Sequence, residues 1–263
     1  MNGSIASLRE LRDPKENRAL AWLAVFSVPV WILIVVWVIA GYGIPLLFIG
    51  LFLGVRRLAE MFTAAYIKTH ALLVSERQLP ELYQQVKASS ERLGIQPPNV
   101  YLLQQNVWNA IAMKLAGRRL VILLSGAVDS LLTKGDMKQL AFLVGHEIGH
   151  HYAGHLDFRR RCSELGGWFP WLLLWYRRRA EFTCDRIGLY CSGSLKASLL
   201  ALCNMTVGAQ LADKVDIDEA CRQWKAHQNE VFVKWRILYL THPQNLWRFA
   251  EMMEAAGALH VPE

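Results

Sequence analysis

His146-Glu147-Ile148-Gly149-His150 is the stretch of this chain that decides its fold. It follows the H-E-x-x-H pattern, in which two histidines one helical turn apart face the same side of a helix and bind zinc. The intervening glutamate then serves as general base for attack on a peptide carbonyl. Because so short a pattern arises by chance in roughly one chain per hundred of this length, the surrounding sequence has to support it.

The helix that carries this motif is predicted to begin near Asp136, a good N-cap residue, and to run to about His155. Gly145 and Gly149 lie inside it, and each costs about 1 kcal/mol relative to alanine in a helix interior. Two such glycines beside two histidines indicate that the helix admits either close packing or a substrate next to the metal.

The segment before this helix is predicted to form a small antiparallel sheet. Apolar runs at 100–103 and 120–124 have strand character, and Asn109–Leu115 is a third, weaker strand. Gly117 suits the turn between the last two strands, and Pro80 suits the first position of a preceding amphipathic helix. From Arg177 onward the chain is predicted to be mostly helical.

A catalytic zinc usually takes three protein ligands, so two histidines leave the site incomplete. Glu181, on a later helix, is the best candidate for the third ligand, although a salt bridge to Arg177 or Arg178 would also explain it. Asp185 lies one turn further on the same helical face. It suits the acceptor of a hydrogen bond from a ligand histidine, and an exposed or Arg186-paired position is the alternative.

Two sequence segments together resemble the paired signatures of a gluzincin peptidase group: 146–150 and Glu181-Phe182-Thr183-Cys184-Asp185. This is the membrane-associated group that includes the HtpX-like heat-shock proteases and the CAAX prenyl endoproteases. Other parts of the chain agree, namely Ser75 to Leu82, Asn109-Ala110-Ile111-Ala112, His155, and His242-Pro243 followed by Arg248. The resemblance covers roughly residues 72 to 250.

The resemblance implies an α+β, mainly helical, zincin-like (gluzincin) metallopeptidase domain with one Zn²⁺ per chain. His146, His150 and Glu181 would hold the zinc, and Asp185 would orient a ligand. Glu147 would be the general base, while His242 and then Arg248 are candidates for stabilising the oxyanion or binding substrate. The strand with Asn109, Ala110 and Ala112 would bind an extended substrate.

Simpler roles compete with several of these assignments. Asn109 also suits a turn or strand entry, and His242 also suits a cap before Pro243. His155 is as well explained as a helix-end histidine or as a neighbour of a ligand. His151 is expected to face solvent.

A transmembrane segment is predicted near the N-terminus, where Ala19–Ala40 contains no charged residue. As a helix it would span about 33 Å, enough to cross a bilayer core of about 30 Å. The next apolar run, Ile44–Val55, is too short to span alone, but it could form the return arm of a hairpin that ends at Arg56 and Arg57. A single span, with the second run at the interface, is the alternative.

The predicted domains are a basic tail at 1–18, one or two transmembrane segments at 19–57, and a peptidase domain at 72–258. Basic residues flank both ends of the hairpin, so the positive-inside rule places the catalytic domain in the cytoplasm. The formal net charge of +7 favours anionic lipid over nucleic acid as partner, because the basic residues flank apolar stretches. No nucleic-acid partner is expected, and the sequence leaves the oligomeric state open.

Five cysteines without a C-x-x-C pair indicate a reducing compartment rather than a disulfide framework. The aromatic stretch Leu165–Tyr176 lies between two arginine triplets, and it is predicted either to dip into the bilayer surface or to form a lid over the cleft.

The sequence therefore predicts an integral membrane zinc endopeptidase that cleaves protein or peptide substrates. One rival is a non-catalytic membrane scaffold or chaperone-like protein that retains the fold, and the presence of Glu147 argues against it. The other rival is a metal-dependent hydrolase of non-peptide substrates.

Overall fold

The computed structural model of the chain describes residues 7–105, 109–115 and 117–261. Within these residues it is mainly helical, with one four-stranded sheet and two short 3₁₀ turns. The helices are α1 Leu8–Leu11, α2 Glu16–Ala40, α3 Ile44–His70, α4 Pro80–Arg92, α5 Ser125–Lys134, α6 Met137–Tyr152, α7 Phe158–Ser163, α8 Pro170–Ser192, α9 Leu195–Val207, α10 Ile217–His227, α11 Val231–Leu238 and α12 Asn245–Leu259. The strands are β1 Leu72–Leu73, β2 Asn99–Leu103, β3 Ala110–Leu115 and β4 Arg118–Leu124.

The sheet is mixed, with the strand order β1-β2-β4-β3. β3 and β4 form the predicted antiparallel hairpin, and Gly117 in their turn has a φ of +81°. The prediction of a purely antiparallel sheet is wrong, because β2 pairs with β4 in parallel. The cause is the position of β3, which lies at the outer edge of the sheet and leaves β4 next to β2. β3 therefore has one free edge.

The motif helix α6 begins where the sequence predicts. Asp136 caps it, and its carboxylate accepts a hydrogen bond from the backbone N–H of Gln139 at 3.0 Å. The helix ends at Tyr152 rather than at the predicted His155, because the chain turns at Gly154 with a φ of +75°. His155 consequently lies in a loop that folds back toward the helix.

Small residues bring α6 and α8 close together. A Cβ atom at Gly145 would lie 2.6 Å from the Cβ of Cys191, and one at Gly188 would lie 2.8 Å from the carbonyl oxygen of Phe142. At Gly149 an added Cβ would already be 3.3 Å from α8. Of the two explanations for Gly145 and Gly149, the structure supports close packing. This packing is what brings the motif helix against the helix that carries Glu181.

α2 leaves the folded domain and α3 returns to it. Ile67, near the end of α3, is buried against the sheet, whereas Tyr42 in the α2–α3 turn is 95% exposed. α3 is much longer than the predicted run Ile44–Val55, because the helix continues through Arg56 and Arg57. Among the described helices, only α2 has both the length and the apolar composition required to cross a membrane.

The residues before α2 pack against α8. Leu11 is fully buried, and its carbonyl oxygen accepts a hydrogen bond from Arg186 at 3.0 Å. The backbone N–H of Asp13 donates to the hydroxyl of Thr183 at 2.9 Å. Residues predicted as a tail thus supply part of the interior of the folded domain.

Candidate active site

A cleft of about 450 Å³ lies between α6, α8 and the free edge of β3. Nine of the ten predicted site residues line it: Asn109, Ala110, Ala112, His146, Glu147, His150, Glu181, His242 and Arg248. Asp185 lies behind the cleft wall. The remaining lining residues were not predicted and are apolar: Ile111, Phe142, Leu143, Leu156 and Met205. The structure therefore brings the predicted polar site together and adds an apolar surface beside it.

Glu181 lies against both histidines of the motif. One carboxylate oxygen is 3.4 Å from Nε2 of His146, and the other is 3.7 Å from Nε2 of His150. Zinc bonds of 2.0–2.2 Å in a tetrahedral arrangement put neighbouring ligand atoms about 3.3–3.6 Å apart. Glu181 therefore lies at about the distance from each motif histidine that binding of a shared zinc ion requires.

Cys184 is a competing third donor. Its sulfur, with one nitrogen each of His146 and His150, forms a group of atoms within 4.8 Å of one another. However, the Cys184 side chain is fully buried and does not line the cleft. Burial, strengthened by nearby carboxylates such as Glu181, raises the pKa of this thiol well above its ordinary value, whereas zinc binds the thiolate. Glu181 faces the cleft and is the better candidate.

His146 is oriented by Asp185. Nδ1 of His146 lies 3.0 Å from an Asp185 oxygen, which leaves Nε2 directed toward Glu181. Burial by itself would lower the pKa of His146, but hydrogen bonds and charges from Asp185 and Glu181 raise it to about 10. A ligand histidine is typically fixed in this way by a carboxylate on its other nitrogen.

Arg248 holds Asp185 in turn. Its Nε lies 2.8 Å from one Asp185 oxygen and its Nη2 lies 2.5 Å from the other, and both side chains are buried. Two of the guanidinium nitrogens are therefore engaged away from substrate. Arg248 therefore positions Asp185 through this bidentate pair. This role differs from the oxyanion or substrate contact expected from the sequence.

Glu147 is buried between the histidines and β3. Burial raises the pKa of its carboxyl to about 7, against the opposing effects of His146 and of a hydrogen bond from the backbone of Ala112. A carboxylate with a pKa near neutrality is well matched to proton transfer at physiological pH.

The free edge of β3 faces the cleft. The backbone N–H of Leu124 donates to the carbonyl oxygen of Asn109, and antiparallel strands alternate between residues that bond the neighbour and residues that point away. Ala110 and Ala112 therefore direct their backbone groups toward the cleft. The side-chain oxygen of Asn109 accepts a hydrogen bond from the N–H of Ala110 at 2.8 Å, which supports its strand-entry role.

His242 lies on the rim of the cleft, in the loop before α12. Its side chain is 71% exposed, and its Nε2 is 3.7 Å from a Glu181 oxygen. Its Nδ1 lies 2.9 Å from the hydroxyl of Thr241. The imidazole is thus beside the candidate ligands and open to a bound substrate.

Two further histidines follow the motif, and both are buried. His151, expected to face solvent, instead has its Nε2 3.0 Å from the carbonyl oxygen of Leu120, so that expectation is wrong. Nδ1 of His155 lies 3.2 Å from Nδ1 of His150. Its Nε2 lies 3.3 Å from Glu16 in α2, a residue that no sequence motif marks as functional.

Comparison with known proteins gives a family match over part of the chain. Residues 76–165 match the family model described as Peptidase family M48. Over this segment, about a third of its length, the chain is similar to M48 peptidases. The match includes the whole of α6 and its motif. It confirms the resemblance to metallopeptidases, which are hydrolases, that the sequence indicated.

One curated relative of this chain is the "Plastoglobule-localized metallopeptidase 48, chloroplastic" of Arabidopsis thaliana. The two are 26% identical over an alignment of 212 residues, which covers 72% of this chain and 60% of the relative. The chain thus spans about three fifths of the relative's length. No solved structure matches the chain.

Proposed function

We propose that this protein is a membrane-anchored, zinc-dependent endopeptidase. The observation that carries the proposal is the spacing of Glu181 from His146 and His150, with Glu147 beside them in the same cleft. In this assignment His146, His150 and Glu181 hold the metal, and Glu147 is the general base that faces the substrate.

The chemistry divides between the metal and the protein. A zinc ion held there would supply a water whose pKa is lowered toward 7 and would polarise the scissile carbonyl. Glu147 takes a proton from the attacking water and delivers it to the leaving amine. His242, on the cleft rim, donates a hydrogen bond to the oxyanion as it develops.

The substrate binds as an additional strand on β3. The carbonyl groups of Ala110 and Ala112 point to the free edge and accept hydrogen bonds from an extended peptide. Phe142, Leu143 and Met205 line the same cleft, so the site favours an apolar substrate side chain there. An extended protein or peptide substrate fits this strand edge better than a compact non-peptide molecule.

Metal removal tests the assignment directly. The purified full-length protein in detergent is expected to contain one zinc per chain, and 1,10-phenanthroline is expected to abolish its cleavage of casein. Added zinc should restore the activity, because the chelator removes the ion and leaves the ligand residues in place to bind it again. A zinc-loaded protein that cleaves no protein or peptide would instead support the scaffold alternative.

The anchor is best explained as a hairpin of α2 and α3. Both helices have their domain-side ends on the catalytic domain, since Glu16 and Ile67 are buried there. Apolar side chains along both are largely exposed, for example Leu33 at 67% and Leu47 at 74%, which suits lipid contact. Basic residues before α2 and Lys68 at the domain-side end of α3 support a cytoplasmic catalytic domain by the positive-inside rule.

The aromatic stretch Leu165–Tyr176 supports a bilayer contact beside the anchor. Trp168 donates from Nε1 to the carbonyl oxygen of Phe26 in α2 at 2.8 Å, so this stretch is docked on the candidate transmembrane helix. Trp168 is 59% exposed, and the neighbouring α11 exposes Phe232 and Trp235 at 86% and 62%. Trp235 lies between Lys234 and Arg236, a composition typical of the interface of an anionic membrane.

Fluorescence quenching by brominated lipid tests this contact in the reconstituted full-length protein. The variants Trp168→Phe and Trp235→Phe should each remove a quenchable component, because bromine quenches only tryptophans that lie at the lipid. Trp224→Phe is the control, since Trp224 is 8% exposed and stacks on Trp247. If neither variant reduces the quenchable signal, this surface does not contact lipid.

A further inference from the structure

A buried polar cluster lies beneath the candidate zinc site. The Glu16 side chain is fully buried, and Thr183 donates its hydroxyl to one carboxylate oxygen at 2.5 Å. The other oxygen accepts hydrogen bonds from Arg12 at 3.2 Å, His155 at 3.3 Å and Arg160 at 3.4 Å. A carboxylate so far from water is tolerated only with charged partners and hydrogen bonds of this kind. Of these partners, His155 is the one that also contacts His150, which lines the cleft.

The hydrogen-bond directions in this cluster follow from the carboxylate. Because ionised Glu16 can only accept, Nε2 of His155 must carry the proton that it donates. In a neutral His155, Nδ1 is then an acceptor, and the facing Nδ1 of His150 must be the donor. His150 is consequently left with an unprotonated Nε2 on the side of Glu181, which is the form that binds a metal.

We propose that Glu16 is a positioning residue of the zinc site and acts through His155 to fix the ring orientation and tautomer of His150. The proposal rests on the function proposed above. Each ligand histidine is then oriented by a carboxylate. Asp185 orients His146 directly, and Glu16 orients His150 through the imidazole of His155. It also makes the first turn of the membrane helix α2 part of the metal site.

Cys184 does not disturb this path. Its sulfur lies 3.6 Å from Nδ1 of His155, but a thiol is a weak donor and Nδ1 of His150 is closer, at 3.2 Å, so His150 takes the single lone pair. A competing explanation is that Glu16 serves only to balance Arg12 and Arg160. Under that explanation, changes at His155 would affect folding stability but not the affinity for zinc.

Zinc affinity, measured by competition with a chromophoric chelator in the full-length protein, distinguishes the two. His155→Phe keeps an aromatic ring but cuts the path, and we expect affinity to fall by about 10- to 100-fold, as for other partners of ligand histidines. His155→Gln, which can both accept and donate, should recover part of that loss. His227→Phe is the matched control, because His227 is exposed on α10 and does not line the cleft, and it should bind zinc like the wild type.

The melting temperature of the zinc-free variants reports folding separately. Wild-type zinc affinity in His155→Phe would overturn the proposal, and so would an equal loss of affinity in His227→Phe. If His155→Phe does not fold, Glu16→Met decides instead, because it removes the oxygen that accepts from His155; a loss of about 10-fold is expected, and wild-type affinity would contradict the proposal. A wild-type chain that binds no zinc would refute the proposed function itself, whereas a zinc-binding wild type with unaffected variants would refute only the role of Glu16.

Discussion

The Glu147→Gln variant is expected to hold one zinc per chain and to lose about 10³-fold of its peptide-bond cleavage. An amide of the same shape cannot take a proton from water, and general-base catalysis typically contributes about 10²–10⁴-fold. Zinc should remain, because the ligand atoms come from His146, His150 and Glu181 and not from Glu147. Metal content and casein cleavage, measured on the same preparation, check both parts.

Glu254→Gln is a suitable control, since Glu254 is exposed on α12 and does not line the cleft. It should cleave at the wild-type rate. Equal cleavage by wild type and Glu147→Gln would refute the general-base role. Loss of zinc from Glu147→Gln would show that Glu147 contributes to the metal site.

Glu181→Ala is expected to weaken zinc binding by at least about 100-fold, while Cys184→Ser changes it only slightly. Losing one of three ligands should cost more than losing a hydrogen-bond partner of a ligand, which costs about 10- to 100-fold. Cys184 lies in the same cluster but is buried as a thiol behind the cleft wall. Zinc competition titrations on both variants decide between the two donor sets.

The reverse result would assign the site to two histidines and a cysteine. In that case Cys184→Ser would lose zinc, Glu181→Ala would retain it, and Glu181 would become a candidate for a role on the substrate side. Each variant should be compared with wild type by the melting temperature of its metal-free form, so that a folding defect is not mistaken for loss of a ligand.

Sequence patterns predicted those parts of the site that depend on local spacing. The motif helix and its cap at Asp136 follow from residues within one turn of each other, and the candidate third ligand follows from a second motif on one helix. The prediction of an antiparallel sheet was wrong, since β2 pairs with β4 in parallel, because strand order depends on contacts that spacing along the chain does not encode. His151 was wrongly expected to be exposed for a related reason, since β4 covers it from outside its own helix.

The least predictable part of the site is Glu16. It lies 139 positions before His155 in the chain, and as the first residue of an apolar helix it has the sequence character of an ordinary helix start. Its burial depends on α8 supplying Thr183 and on the loop after α6 supplying His155. Neither contact produces a periodic or motif-like signal in the sequence.

The packing of Leu11 to Glu16 against α8 has a consequence for any fragment that lacks the N-terminal helices. A soluble fragment that begins at residue 72, the predicted start of the peptidase domain, would contain the whole M48 match but would lack Leu11, Asp13 and Glu16. Thr183 and His155 would lose buried partners, and water would enter the space beneath the histidines. Under the function proposed above, proteolytic cleavage between α2 and the sheet would therefore weaken the metal site, and we expect the released fragment to be less active than the intact chain.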